Sequence, residues 1–215
     1  MWPWAYAFFI RPWHLRWGAT GEEVEKPLPG DELVPDPAIE STRAITISAS
    51  AEEVWTWLVQ IGQGRGGLYS YDFLENLARL DIHSVDRIVE ELQNLQVGDL
   101  VRLAPERFGP EAGFRVVGLD PLRALLLHQP THPDTRRPVD RNAPNLGAYF
   151  GWNWAFVLEE LDAKSTRFIV RSRVDGRPRP LIRLFFTLLV EIPHFVMERG
   201  MLKGIKERAE KGGGS

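Results

Sequence analysis

The first regular element shows in the alternation of apolar and polar positions. In Thr42 to Ser48 (TRAITIS), Ile45 and Ile47 alternate with Ala44, Thr46 and Ser48, which predicts a β-strand with one apolar face. Ser50 then opens a capping box with Glu53. Ala51, Val54, Trp55 and Leu58 follow at i, i+3, i+4 and i+7, so a helix is predicted to about Gln60. Beyond a glycine-rich stretch, Ser70 is placed to cap a short helix from Tyr71 to Leu80, with Leu74 and Leu77 as its buried positions. Ser84 to Leu95 has Val85, Ile88, Val89 and Leu92 at helical spacing and reads either as a helix or as a long ordered loop.

Short strands are then predicted at Asp99 to Leu103, Gly113 to Leu119, Arg123 to Gln129, Tyr149 to Leu158 and Thr166 to Val174. Short connections make such neighbours antiparallel. The proline-rich gap from Pro130 to Leu146 is longer than a hairpin and predicts a flap or rim loop. Pro180 opens a long helix to about Glu210. Its first half (LIRLFFTLLVEI) is apolar almost all round, so it belongs in a core or a membrane; Arg183, Glu191 and Pro193 favour the core, with a kink at Pro193.

The ends differ in character. Residues 1–17, MWPWAYAFFIRPWHLRW, are apolar and rich in Trp but too short to cross a bilayer, and they lack the pattern of a secretory signal. Three readings fit: a segment packed on the protein's own surface, an interfacial anchor giving peripheral membrane contact, or a truncated membrane span. Residues 18–40 form a Pro/Gly-rich arm, residues 41–211 carry the predicted strands and helices, and Gly212 to Ser215 reads as a linker.

Composition narrows the chemistry. With 26 Lys and Arg against 29 Asp and Glu, the net charge of -3 lacks the basic excess of a nucleic-acid binder. No cysteine is present, which excludes disulfides, thiolate zinc sites and a Cys nucleophile, and leaves the cytoplasm as the expected compartment. Eight Trp and eleven Phe suggest a roomy, aromatic interior.

One strand, two short helices, a run of antiparallel strands and a long last helix is the order of the α+β helix-grip fold. The chain resembles the SRPBCC or START-like superfamily, which includes polyketide cyclases, lipid-transfer domains and birch-pollen-allergen-like proteins. It looks most like a bacterial branch marked by RPWHLRWGAT at Arg11 to Thr20, PLPGDELVPDP at Pro27 to Pro37 and IGQGRGGLYSYDFLENL at Ile61 to Leu77. DIHSVDRI at Asp81 to Ile88, VGDLVRL at Val97 to Leu103 and WAFVLEELDAKSTRFIVRSR at Trp154 to Arg173 add to it, and the match covers roughly residues 11 to 205. The resemblance implies a curved sheet wrapped round the last helix, with an apolar cavity between them for a hydrophobic or amphipathic small molecule. It does not imply an enzyme.

Several constellations could carry chemistry. Gly62, Gly64 and Gly67 have the spacing of a dinucleotide loop, but a capped helix precedes them where a strand is required, so they read as a turn. Tyr71, Asp72, Glu75, Asn76, His83, Asp86 and Arg87 form the densest polar cluster. Tyr71, Glu75 and His83 could serve as acid and base at a carbonyl, or these groups could satisfy one another, Asp86 with Arg87 among them. Arg167, Arg171 and Arg173 alternate with apolar residues and are expected on the solvent face, the minority alternative being an inward Arg171 holding a carboxylate. Arg183, Thr187, Glu191, His194 and Glu198 form one polar stripe, expected to be solvated unless Glu191 and His194 orient a ligand. His128 and His132 lack a third ligand nearby in sequence, and with no G-x-S-x-G and no evident base for Ser70 serine catalysis is not supported; no metal or cofactor is expected.

The expected activity is binding of a hydrophobic molecule or lipid. The walls would be Trp152, Trp154, Phe156, Phe185, Leu189 and Phe195, with orientation from Tyr71, Glu75 and His83. A cyclase or dehydratase using that acid–base trio and a membrane-anchored lipid-handling module are the alternatives.

Overall fold

A computed structural model describes residues 6–131 and 147–212. Most of the expected rim loop with its His132, the start of the Trp-rich segment and the end of the GGGS run lie outside the described residues.

The elements, in chain order, are α1 (Arg11–Leu15), α2 (Gly21–Glu25), β1 (Ile39–Ile47), α3 (Ala51–Val59), α4 (Asp72–Leu77), β2 (Leu100–Arg102), β3 (Gly113–Asp120) and β4 (Ala124–Thr131). There follow β5 (Tyr149–Asp162), β6 (Ser165–Arg177), α5 (Arg179–Phe185) and α6 (Glu191–Gly212). A π turn precedes α1 at Tyr6–Ile10, and another joins α5 to α6 at Phe186–Val190. The second stands one residue pair ahead of Pro193, which has no N–H for the regular bond to Leu189 and whose ring would clash with that carbonyl. The disturbance expected at Pro193 therefore takes the form of a widened turn.

The six strands form one antiparallel sheet in the order β1-β6-β5-β4-β3-β2. With the long helix against it, this is the α+β helix-grip arrangement. The register puts Trp154 opposite Leu127 and Ser172, and Phe156 opposite Leu125 and Val170, on the inner face. That face packs with Met201, Leu202 and Ile205 of α6 and with Val54 and Leu58 of α3 in one core. Local chemistry explains α3: the Ser50 hydroxyl accepts from the Glu53 N–H at 3.3 Å while the Glu53 carboxylate accepts from the Ser50 N–H at 2.8 Å.

The arm carries regular structure too. Thr20 and Glu23 form a second capping box and start α2, a signal of the same type as Ser50 and Glu53. The arm crosses the outer face of the sheet, where Leu28 packs with Ala44, Val157 and Ile169. This overturns the solvent-face placement of the arginines. Arg171 is buried, and Arg167 binds Glu23 through two nitrogens at 2.6 and 2.8 Å. Arg173 meets Asp31 and Glu40.

Of the two readings of Ser84 to Leu95 the loop is the one found, with one 3-10 turn at Glu90–Leu92. One further expectation fails. Helix α4 is rolled the other way: Glu75 is buried, while Phe73, Leu74 and Leu77 are exposed. Its polar residues are tied to the following loop. Asn76 pairs with both backbone groups of Ile82 at 2.7 Å, and Asp72 accepts from the Ser84 N–H and hydroxyl at 2.6 Å. Those bonds set the roll against the weaker preference of three apolar side chains on a six-residue helix.

Candidate functional site

The space between sheet and last helix, where a ligand cavity is expected, is occupied by charge. β1 points Arg43 inward, two positions before Ile45, and α6 points Glu191, His194 and Glu198 towards it. Arg43 bonds Glu198 through Nη1 and the His14 carbonyl through Nε at 2.8 Å. The Trp154 indole donates to the other Glu198 oxygen at 2.7 Å, and Arg43 Nη1 lies 3.3 Å from His194 Nδ1. Arg11 closes the cluster with a two-point bond to Glu191 at 2.9 and 2.7 Å.

The void left among Ser41, Arg43, Trp152, Ser172, Glu191 and His194 is about 10 Å³, room for one water at most. Glu191, His194 and Glu198, the part of the polar stripe on α6, therefore face inward, contrary to the solvated reading, while Arg183 on α5 is exposed; the large cavity expected under the stripe is filled by side chains. Trp154 and Phe156 are core, and Phe195 packs against Trp13 and His14 beneath α1. Phe185 and Leu189, expected as walls, are 51% and 64% exposed. They lie on the outward side of a helix whose other side already meets the sheet.

Burial pushes the His194 imidazole down to about 4, outweighing the pull of Glu198 and aided by the charge of Arg43. His14 is also lowered, chiefly by burial. A histidine lowered in the native state takes no proton where the unfolded chain does, so stability is full above the ordinary value of 6.5 and drains as pH falls towards 4. Urea midpoints measured across that window should fall less steeply for His194→Gln than for the parent. Identical slopes would remove His194 as the cause.

The proposed acid–base trio does not converge. Glu75 is buried and accepts from the Ser70 hydroxyl at 2.5 Å, with its carboxyl raised mainly by burial. Tyr71 is half-exposed and its ring abuts Gly200. His83 is 79% exposed and pairs with Asp81 at 3.1 Å. Asp86 meets Arg208 rather than Arg87.

A pocket of about 230 Å³ opens instead at the β2–β5 end of the inner face. Leu103, Phe108, Phe114, Phe150 and Trp152 supply its apolar walls, and Gln129 and Thr131 the polar side chains from β4. The register aligns Gln129 with Trp152 and Thr131 with Phe150. Phe114 meets the Trp152 ring edge-on at 5.5 Å, and Phe150 meets it at 6.3 Å. The Trp152 indole N–H is used by Ser172 at 2.6 Å, and Glu111 at the rim is held by Arg115 at 2.6 Å. Gln129 is 5% exposed and its Nε2 has no partner among the described residues. Of the expected site residues only Trp152 lines this pocket. Gln129 and Arg43 were both readable as polar residues at inward parity, Gln129 two positions after Leu127 and Arg43 two before Ile45. A second hollow of about 290 Å³ between α1 and β1 is lined by Arg11, Arg16, Glu40 and Thr42 among others, and lacks such an aromatic wall.

No family model matches the chain, and no curated protein matches it. Solved structures give distant likenesses. A hypothetical protein from Helicobacter pylori is 11% identical, with 85% of this chain and 95% of that one covered at a TM-score of 0.45. A protein from Arthrobacter aurescens is 14% identical, covering 79% and 87% at 0.42. Norcoclaurine synthase from Thalictrum flavum is 15% identical, covering 77% and 91% at 0.41. Likeness this distant fixes neither ligand nor reaction.

Proposed function

We propose that the protein binds a small, flat, largely apolar molecule carrying one hydrogen-bond acceptor, in the pocket under Trp152. The observation that carries this is the Gln129 Nε2, buried among aromatic walls and without a partner among the described residues. An unmet buried donor is costly, and a ligand oxygen at that position would relieve it. The rings supply area and restrict the shape to a plate, while the amide supplies orientation. The dispersed positions of Tyr71, Glu75 and His83 give acid–base chemistry no support.

2-Acetylnaphthalene and 2-ethylnaphthalene make a matched pair, alike in shape and differing in the acceptor. Titrations followed by tryptophan fluorescence should show the ketone binding more tightly. Gln129→Leu should cost the ketone about five- to tenfold and the hydrocarbon nothing. Trp152→Ala should weaken both by about tenfold or more. Equal affinities for the two compounds, unchanged in Gln129→Leu, would sink the reading.

A further inference from the structure

The first half of the last helix is apolar almost all round, interrupted by Arg183 and Thr187, and only one side of it is covered. Ile182, Phe186 and Val190 pack on the sheet with Ile39 and Val174. The opposite side carries Leu181, Leu184, Phe185, Leu188, Leu189 and Ile192, between 40% and 68% exposed. Their spacing of i, i+3, i+4, i+7, i+8 and i+11 is a continuous helical stripe. The start of the chain extends this surface, since Phe8, Phe9, Ile10 and Trp13 are also exposed, at 66%, 76%, 48% and 56%. The two segments are joined by the Arg11–Glu191 bond and by Trp13 packed edge-on to Phe195 at 5.3 Å. An apolar surface of this extent marks an interaction site.

Charge and length select the occupant. From Arg179 to Val190 there is no acidic residue. Of the nearby acids, Glu191 is paired with Arg11 and Asp36 with Arg179, while Asp175 accepts from the Tyr149 hydroxyl. Among the described residues, Arg16 and Arg177 are exposed and have no acidic partner, and Arg183 donates to the Ala38 carbonyl. The rim is thus cationic, complementary to an anionic surface.

The helix Arg179–Gly212 is long and apolar enough, by length and composition, to cross a bilayer. Its second half is committed to the core, however, through Met201, Leu202 and Ile205, and Gly204 seats the helix on the Tyr69 backbone. The part that bears the exposed stripe, residues 179–192, is about 21 Å long at 1.5 Å per residue, short of the roughly 30 Å hydrocarbon layer. It can lie in an interface but not traverse it.

We propose that this face docks the protein on an anionic lipid bilayer, with the apolar stripe and Trp13 at the headgroup–acyl boundary and Arg16, Arg177 and Arg183 among the headgroups. The proposal stands apart from the pocket under Trp152. Co-sedimentation with phosphatidylcholine vesicles, with and without about 30% phosphatidylserine, tests it. The parent should sediment with the anionic vesicles, much less with the neutral ones, and less again in about 0.5 M salt.

The double variant Leu184→Glu/Leu188→Glu, both positions being exposed, should keep its circular dichroism and its binding of 2-acetylnaphthalene. It should lose about tenfold or more of its vesicle binding. Phe9→Glu, on the other segment, should weaken sedimentation as well. A parent that stays in the supernatant with both vesicles, or a double variant that sediments like the parent, would overturn the proposal. So would a dimer in sedimentation velocity that Leu184→Glu/Leu188→Glu dissociates, with no vesicle binding, since a second copy would then cover the face.

Discussion

Replacing Arg43 by methionine should destabilise the fold by about 3–5 kcal/mol, because it leaves Glu198 buried without its cation. Glu198 is 2% exposed, and its remaining partners are the Trp154 indole and the ring of His194. Neither supplies a charge while His194 is neutral. Removing the Glu198 charge as well, in Arg43→Met/Glu198→Gln, should recover most of the loss, because a neutral amide still accepts from Trp154. His194 should also titrate higher in Arg43→Met than in the parent, since an opposing positive charge is gone and the attracting carboxylate remains. Guanidinium unfolding of the two variants measures the first effect. A single variant within about 1 kcal/mol of the parent would show that Glu198 finds another route to neutrality.

Arg171→Met should loosen the arm from the outer face and cost about 2–4 kcal/mol. One guanidinium holds four parts of the chain: it donates to the Thr42 hydroxyl at 3.0 Å, to the Lys26 carbonyl at 3.0 Å, to Asp31 at 2.6 Å, and to the Glu23 and Val24 carbonyls at 2.7 and 3.0 Å. An ammonium has neither the fork nor the reach to meet this set, so Arg171→Lys should behave more like the methionine variant than like the parent. Limited proteolysis within residues 18–37 reports the arm directly. Cleavage there should accelerate in both variants, and an unchanged rate would mean that Leu28 and the remaining ion pairs, Arg167 with Glu23 among them, suffice to hold it.

Elements defined by local chemistry were legible in the chain itself. The Ser50–Glu53 box, the alternation in TRAITIS and the aromatic stripe from Trp152 to Leu158 depend on neighbours close in sequence, and the strands, α3 and the last helix follow from them. What failed depended on what lies opposite. The arginines of β6 alternate as a solvent face would, and only the arm crossing them, about 140 positions away in sequence, makes that face interior. The roll of α4 is decided by Asp72 and Asn76 bonding a loop whose path the helix pattern does not contain.

The last helix shows both cases. An all-apolar helix is compatible with any covering partner, so its pattern could not reveal that one side would be left bare. Its polar stripe was visible, but whether Glu191, His194 and Glu198 faced water or Arg43 depended on a strand at the far end of the chain. Inward parity of a polar residue was the readable signal, and it marks both the filled interior at Arg43 and the open pocket at Gln129.

The side-chain amide of Gln129 is therefore the most direct witness of the proposed ligand site. In isotope-labelled protein its two proton resonances, identified by their absence from Gln129→Leu, should move on titration with 2-acetylnaphthalene, together with the indole signal of Trp152. The Trp154 indole, held by Glu198 in the filled interior, should stay in place. A titration that shifts Trp154 and leaves the Gln129 amide unmoved would contradict the account, because the ligand would then be entering between sheet and helix rather than at the mouth.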